Sequence, residues 1–446
     1  MQNEKIYRDR IILHCDCNSF FASVETALNP EYKNVPMAVC GSVEDRHGIV
    51  LAKNELAKAH DIKTAETVFS AKKKCPTLVI ATPHYDEYVK FSKAVNRIYA
   101  KYTDIIEPFG IDESWLDVTA SVKLFGSGVE IAEMIRREVK ETLGITVSIG
   151  VSFNKVFAKL GSDYKKPDAI TVINKDNFKN IVFPLPVSDM LFIGRKSQMR
   201  LDTMGIKTIG DLANTDVELL KERFGKAGEV MHKYACGADD SAVCKSTETQ
   251  KSIGNGFTFK RDLTTYEECC SGIDFLVEEI GTKLRKNKLV CSTVQLTIKY
   301  TSLSSVQRQR PQNPPTDNSR EIAQTAYEIL KAEWNGIKPI RMLTVTATNL
   351  SDANVHECEQ LDIFAPTEEL SEKNETKIDI AIDKIRQKFG SDSIVSASII
   401  GTNLGIYKNK TNKKEDCNEF QRFGQRCFTS ASYGTRRILR GKRRHL

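Results

Sequence analysis

Apolar residues along the chain come first in short runs and then at helical spacing, and this alternation predicts most of its elements. Ile11 to Cys15 reads as a buried strand with Asp16 at its carboxyl end. The segment FFASVETAL follows as a helix that Asn18-Ser19 can cap and that Asn29-Pro30 stops, and Pro36 to Val39 begins another extended segment. Residues 47 to 77 read as a small insert: a strand near Gly48 to Ala52, a helix through Lys53 to His60, and a helix ending in Lys72-Lys73-Lys74. Tyr88, Phe91, Val95, Ile98 and Tyr102 recur at spacings of three and four, which predicts an amphipathic helix from about His84 to Tyr102. Ile105 to Phe109 and Ser114 to Val118 predict a hairpin, followed by a helix around Val129 to Leu143 and a strand from Thr146 to Ser152.

Without the insert the order is β-α-β-β-α-β, the split unit of ferredoxin-like folds. In that topology the first two strands run the same way, so the carboxyl end of the first meets the turn between the second and third. Asp16 and the pair Asp112-Glu113 are therefore expected to converge. An acidic turn alone is compatible with a plain surface hairpin. Three carboxylates meeting from separate segments instead suit two divalent cations about 4 Å apart, as in metal-assisted phosphoryl transfer. An oxygen-only donor set suits Mg²⁺.

Beyond residue 175 the pattern turns helical, and from Lys251 to Leu350 strands return, notably Ser292 to Tyr300 and Met342 to Asn349. With helices near Cys270 to Lys286 and Ser319 to Trp334 they predict a second small α+β domain. A length of 446 residues exceeds one ordinary domain, and no apolar run would span a bilayer. The charged amino terminus, followed only by IILHC, lacks a secretory signal, so a cytoplasmic protein is expected. The 12 cysteines include no CxxC pair, which argues against zinc and for reduced thiols. Charge is uneven. The formal +7 comes from residues 407–446, where 12 Lys/Arg face 3 Asp/Glu. Gly281 to Arg310 holds Lys283, Arg285, Lys286, Lys288, Lys299, Arg308 and Arg310 with no acidic residue, a candidate polyanion surface.

DCNSFFASVE (16–25), GIDESWLDV (110–118), SIGVSFNKVFAKLGSDYKKP (148–167) and GIKTIGDLA (205–213) resemble, in order, the signatures of Y-family, lesion-bypass DNA polymerases of the bacterial polymerase IV and V type. The likeness covers roughly residues 10–400. It implies an α+β, multidomain right-hand polymerase: a ferredoxin-like palm (8–25 and 78–174), a small fingers insert (26–77), a helical thumb with a helix-hairpin-helix (175–240) and an α+β little finger (250–352). Residues 353–446 would be a carboxyl-terminal linker and basic tail, with Ala381 to Gly390 similar to a short helix that follows the little finger in relatives. The implied activity is that of a DNA-directed DNA polymerase, an error-prone nucleotidyltransferase of the DNA damage response. It would extend a primer opposite damaged template without proofreading. Another two-metal nucleotidyl-transfer enzyme on the same palm, or an inactive polymerase-like DNA-binding protein, are the alternatives.

Carried across residue by residue, the resemblance makes Asp16, Asp112 and Glu113 the catalytic ligands of two Mg²⁺ ions, with the backbone carbonyl of Cys17 completing a shell. Asn18 stands where many relatives have Asp and is read as a helix cap. Phe21, with Phe20 beside it, falls at the steric gate under the incoming sugar, a core aromatic being the other reading. Lys166 matches the lysine that reaches the triphosphate. Glu55 and Lys58 stand where the polymerase IV branch often has Tyr and Arg, so Lys58 could act there only as a point donor. Gly205, Lys207 and Gly210, with Gly194 in a weaker preceding copy, are expected to bring backbone N–H groups to DNA phosphates, and Arg285, Lys286, Lys288 and Arg308 to line the little finger. Gln360, Leu361, Ile363 and Phe364 resemble the short peptide with which bacterial relatives grip a sliding clamp. Primer-template DNA, deoxynucleoside triphosphates and the clamp are the implied partners of a monomer with no membrane contact.

Overall fold

The computed structural model describes residues 10–42, 46, 48–244, 250–353, 369–390, 393–394, 396–397 and 404–406. These fall in two compact units, one within Met1–Gly41 and Ile49–Thr247, the other within Ser42–Gly48 and Glu248–Glu415.

In the first unit, strand β1 (Ile12–Cys17) leads into helix α1 (Phe20–Leu28). The insert follows as β2 (Met37–Cys40), β3 (Val50–Lys53), α2 (Glu55–Ala59), α3 (Val68–Lys74) and β4 (Val79–Ala81). Its three strands form a separate sheet in the order β3-β2-β4, closed over a small core that includes Cys40, Val50, Ile62 and Leu78. Then come α4 (Tyr85–Tyr99), β5 (Ile106–Pro108), β6 (Glu113–Asp117), α5 (Val122–Phe125), α6 (Gly128–Leu143) and β7 (Val147–Ser152). The principal sheet runs β5-β6-β1-β7, the ferredoxin-like order expected, with β1 antiparallel to both neighbours. Helix α6 is set by a Ser127–Glu130 capping box and ended by Gly144 at φ 68°, a left-handed position that suits glycine.

The strand reading stopped at β7, but the chain continues into α7 (Lys155–Tyr164) and β8 (Ile170–Ile173), which adds a fifth strand parallel to β7. All six residues of β1 are buried, because helices cover both faces. Leu13, Cys15 and Cys17 join the core beneath α4 and α6, while Ile12 packs with Trp115 and Ala158 of α7. Helix α7 lies close on β7: a Cβ added to Gly150 would come within 1.9 Å of the Ala158 carbonyl oxygen and 2.5 Å of the Ser162 nitrogen. Only glycine fits that approach. A helical cluster completes the unit, comprising α8 (Phe178–Val182), α9 (Arg195–Thr203), α10 (Ile209–Ala213), α11 (Val217–Phe224) and α12 (Lys226–Ala235).

The second unit contains β9 (Ser252–Leu263), α13 (Tyr266–Lys286), β10 (Leu289–Tyr300), β11 (Ser305–Thr316), α14 (Ser319–Glu333) and β12 (Ile340–Asp352). Its sheet is antiparallel in the order β11-β10-β12-β9. The periodicity did not single out β11, whose sequence SVQRQRPQNPPT is polar and proline-containing; it is an edge strand, where a missing donor is tolerated. A last helix, α15 (Glu369–Phe389), belongs to the same unit. Among the described residues no helix is long and apolar enough to cross a membrane.

Candidate active site

Alternation along a strand sends neighbouring side chains to opposite faces, so His14 and Asp16 of β1 and Glu113 and Trp115 of β6 all meet α7. Pairing sets Asp16 directly opposite Glu113. Asp112 precedes it in the turn, where its carbonyl accepts the Cys17 N–H at 3.0 Å. The three expected carboxylates thus come from two strand ends at one sheet edge.

Helix α7 faces them with cations. Lys159 Nζ lies 2.5 Å from Glu113 Oε2, 3.1 Å from Asp16 Oδ2 and 3.5 Å from Asp163 Oδ2. Lys166, past the helix end, lies 2.6 Å from the same Asp16 oxygen and 2.8 Å from Asp163 Oδ1. Behind them His14 Nδ1 hydrogen-bonds Ser162 Oγ at 2.8 Å, and its Nε2 sits 3.3 Å from Glu113 Oε2 without an aligned hydrogen bond. Sequence reasoning missed Lys159. Its signal was present in the spacing of Lys159, Ser162 and Asp163, three and four residues apart, which puts three polar side chains along one side of α7.

These contacts set the protonation of the site. Burial raises the pKa of Asp112, and the charges of Glu113 and Asp16 raise it further, so its carboxyl stands well above the usual range. Burial also opposes the charge on Glu113, but Lys159 and His14 prevail and hold it well below that range. Lys159 and Lys166 are likewise penalised by burial and stay protonated above the ordinary lysine value because Asp163, Glu113 and Asp16 surround them. Two ammonium groups therefore face four carboxylates, and among the described residues Asp112 is the one left without an ion-pair partner. Among the described residues no three His, Cys, Asp or Glu side chains form a ready-made metal cage. The oxygen donors of Asp16, Asp112 and Glu113 nevertheless fit a hard divalent cation.

Comparison with known proteins agrees with this architecture. Residues 15–163 match the impB/mucB/samB family, residues 250–363 that family's C-terminal domain, and residues 192–239 the thumb domain of DNA polymerase iota. DNA polymerase IV of Acetivibrio thermocellus is 46% identical over 387 residues, 86% of this chain and 96% of that protein. The DNA polymerase IV of Clostridium kluyveri is 37% identical, covering 88% of this chain and 98% of its own. The chain belongs to the Y-family of DNA polymerases. A solved Y-family polymerase chimera shares the fold at a TM-score of 0.69 and 24% identity, over 77% of this chain and 99% of that one.

Elsewhere in this polymerase several expected sites are placed differently. Asn18 does not cap α1: Ser19, at φ 48°, holds the cap position without a side-chain bond. The buried Asn18 amide instead donates to Ser148 Oγ at 2.8 Å and accepts from Thr146 Oγ1 and the Asp168 N–H, tying β1 to β7 and the loop after Lys166. Phe21 lies parallel to Tyr88, ring centroids 4.3 Å apart, and Tyr88 donates to the buried Glu25 carboxylate at 2.5 Å. Phe20, expected beside Phe21 at the nucleotide, is only 3% exposed and packs in the core. Lys58 is exposed and bonds Glu55 at 2.5 Å.

Gly194 occupies the cap position of α9, and Gly205 takes φ 79° in the turn to α10. The N–H groups expected at phosphates are already used: Gly205 donates to Asp202, Lys207 and Thr208 to the Asp211 carboxylate, and Gly210 to Phe183. Gly210 is a packing glycine against Phe183. In the second unit Arg285, with a side chain 10% exposed, is bonded by Asp379 and Asp383 of α15 and by the Asp317 carbonyl, so its charge is compensated internally, contrary to expectation. Arg308 pairs with Glu333 on the surface, while Lys286 and Lys288 are exposed. Gln360, Leu361, Ile363 and Phe364 lie outside the described residues, as does the basic tail.

The raised pKa of Asp112 has a stability consequence. A carboxyl whose folded pKa exceeds its unfolded value binds a proton on folding, so stability falls as pH rises from the unfolded toward the folded pKa. In EDTA, Asp112→Asn should therefore melt above the parent at pH 8 by about 2–4 °C for each kcal/mol of strain relieved, and the gap should close toward pH 4. A constant gap across that range, read by calorimetry, would remove Asp112 as the strained group.

Proposed function

We propose that the chain extends primers past damaged template bases by two-metal phosphoryl transfer, as a translesion DNA polymerase without proofreading. The observation that carries this reading is the meeting of Asp16, Asp112 and Glu113 at one edge of the principal sheet, faced by Lys159 of α7 and by Lys166 just past its end. Asp16, Asp112 and Glu113, with the Cys17 carbonyl, would hold two Mg²⁺ ions, which when bound supply charge stabilisation and a more acidic primer 3′-hydroxyl. Lys159 holds Asp16 and Glu113 in orientation, and Lys166 is within reach of a triphosphate arriving at Asp16. Phe21, fixed by its stack on Tyr88, forms the floor of the sugar site. The insert of β2, β3 and β4 with two short helices has the size expected of small fingers, which leaves little protein to test the nascent pair. The palm, fingers, thumb and little finger follow the boundaries given by the motifs, and we assign the protein to the cytoplasm as a monomer.

Primer extension on intact and lesion-bearing templates, with and without Mg²⁺, tests this directly. Asp112→Ala should bind primer-template and lose extension by roughly 10³-fold or more. Phe21→Ala should keep deoxynucleotide incorporation and admit ribonucleotides. Near-parental extension by Asp112→Ala would sink the site, and unchanged sugar discrimination in an active Phe21→Ala would leave that ring as packing only.

Exposed Lys286 and Lys288, with Arg308, remain the candidates for phosphate contact in the second unit. Duplex affinity should fall with log salt by a slope of about 0.9 per phosphate neutralised. Replacing the three together with Glu should lower that slope, and an unaltered slope would clear the surface of this role.

Gln360 to Phe364 follows the second domain in an acidic stretch, and we assign it to a sliding clamp through the apolar anchors Leu361, Ile363 and Phe364 and the polar Gln360. Tethering raises local concentration at primer ends without altering the chemistry. Leu361→Ala with Phe364→Ala should preserve synthesis without clamp and abolish stimulation by loaded clamp; equal stimulation of mutant and parent would remove the peptide from this role.

A further inference from the structure

Asp16 Oδ2 accepts from two ammonium groups at once, Lys159 at 3.1 Å and Lys166 at 2.6 Å. The two lysines are held differently. Lys159 projects from within α7, its side chain is 15% exposed, and Asp16, Glu113 and Asp163 enclose it. Lys166 lies beyond the helix, its side chain is 33% exposed, and its carboxylate partners are Asp16 and Asp163 alone among the described residues. Lys166 is therefore the more exposed of the two and the less enclosed by carboxylates. A divalent cation ligated by Asp16 would approach the oxygen that Lys166 now holds, and like charges so close repel strongly in a partly buried site.

We propose that Lys166 is an exchangeable counter-ion of the metal site: in the metal-free protein it fills the cation position at Asp16, and metal entry displaces it toward the incoming triphosphate. Lys159 is the fixed counter-ion that keeps Glu113 and Asp163 in place throughout. This rests on the metal and triphosphate reading above and deepens it. An ammonium nitrogen sits where the Asp16 and Asp163 oxygens converge. A coupling follows. A triphosphate that draws Lys166 from Asp16 raises metal affinity, and by linkage the metal raises triphosphate affinity by the same factor. The site would then charge fully only when both are present.

Mn²⁺ binding to the full-length protein, followed by titration calorimetry and by the electron paramagnetic resonance of free Mn²⁺, separates the possibilities. Without nucleotide, Lys166→Met should bind Mn²⁺ roughly 5- to 150-fold more tightly than the parent. Lys166→Arg, which keeps the charge, should return toward parental affinity. A non-hydrolysable deoxynucleoside triphosphate should tighten Mn²⁺ binding most in the parent and less in Lys166→Met. Thermal melts in EDTA establish that each variant is folded, with Lys166→Gln in place of Lys166→Met should the latter not fold. Equal Mn²⁺ affinity in the parent and the neutral variant overturns the exchange. Asp112→Asn serves as the separate control: parental Mn²⁺ affinity in that variant would overturn the metal reading itself.

Discussion

Crowding carboxylates at one sheet edge is the constraint on which the first unit depends. Two like charges about 4 Å apart repel by roughly 4 kcal/mol at an effective dielectric of 20, and burial adds a desolvation penalty. The fold offsets this with Lys159, a side chain nearly enclosed and bonded to three carboxylates, and with Lys166 at the rim. The compensation is incomplete. Asp112 keeps a raised pKa, and a site left short of positive charge is one that a divalent cation completes.

That balance requires α7 to lie unusually close to the sheet. Gly150 on β7 and Gly161 on α7 make this possible, since a Cβ on Gly161 would stand 3.0 Å from the Gly150 Cα. The close approach brings Ser162 to His14, and Lys159 to Asp16 and Glu113. Two residues without side chains thus govern the electrostatics of their neighbours, a link from packing to chemistry rather than from charge alone.

The second unit manages its charge in another way. Much of its basic window is matched within the unit: Arg285 by Asp379 and Asp383, Arg308 by Glu333 and Arg310 by Glu328. Helix α15 is bound to α13 by these aspartates and by Arg386–Glu278. Further on, Leu404 is fully buried in the unit's core, and its carbonyl accepts the Lys260 N–H at 3.1 Å. Residues beyond the family's C-terminal domain therefore belong structurally to this unit, which adds a charged seam to a sheet-and-helix core.

Periodicity alone determined the strands and helices around Asp16 and Asp112-Glu113, because hydrophobic spacing is local and the ferredoxin-like order leaves few ways to arrange it. Convergence of the three carboxylates followed from topology, which the order of elements already contained. The partners of each charge did not. Lys159, Asp163 and the double occupation of Asp16 depend on how deeply α7 settles onto β7, and no local pattern encodes a distance between segments. For the same reason Asn18 looked like a cap and proved to be a clamp across β7, and Arg285 looked like a surface cation although α15, almost a hundred residues later, compensates it. Residue type and spacing determined which groups were available for the chemistry; tertiary packing decided which of them meet, because Coulomb and hydrogen-bond energies depend on separation in space.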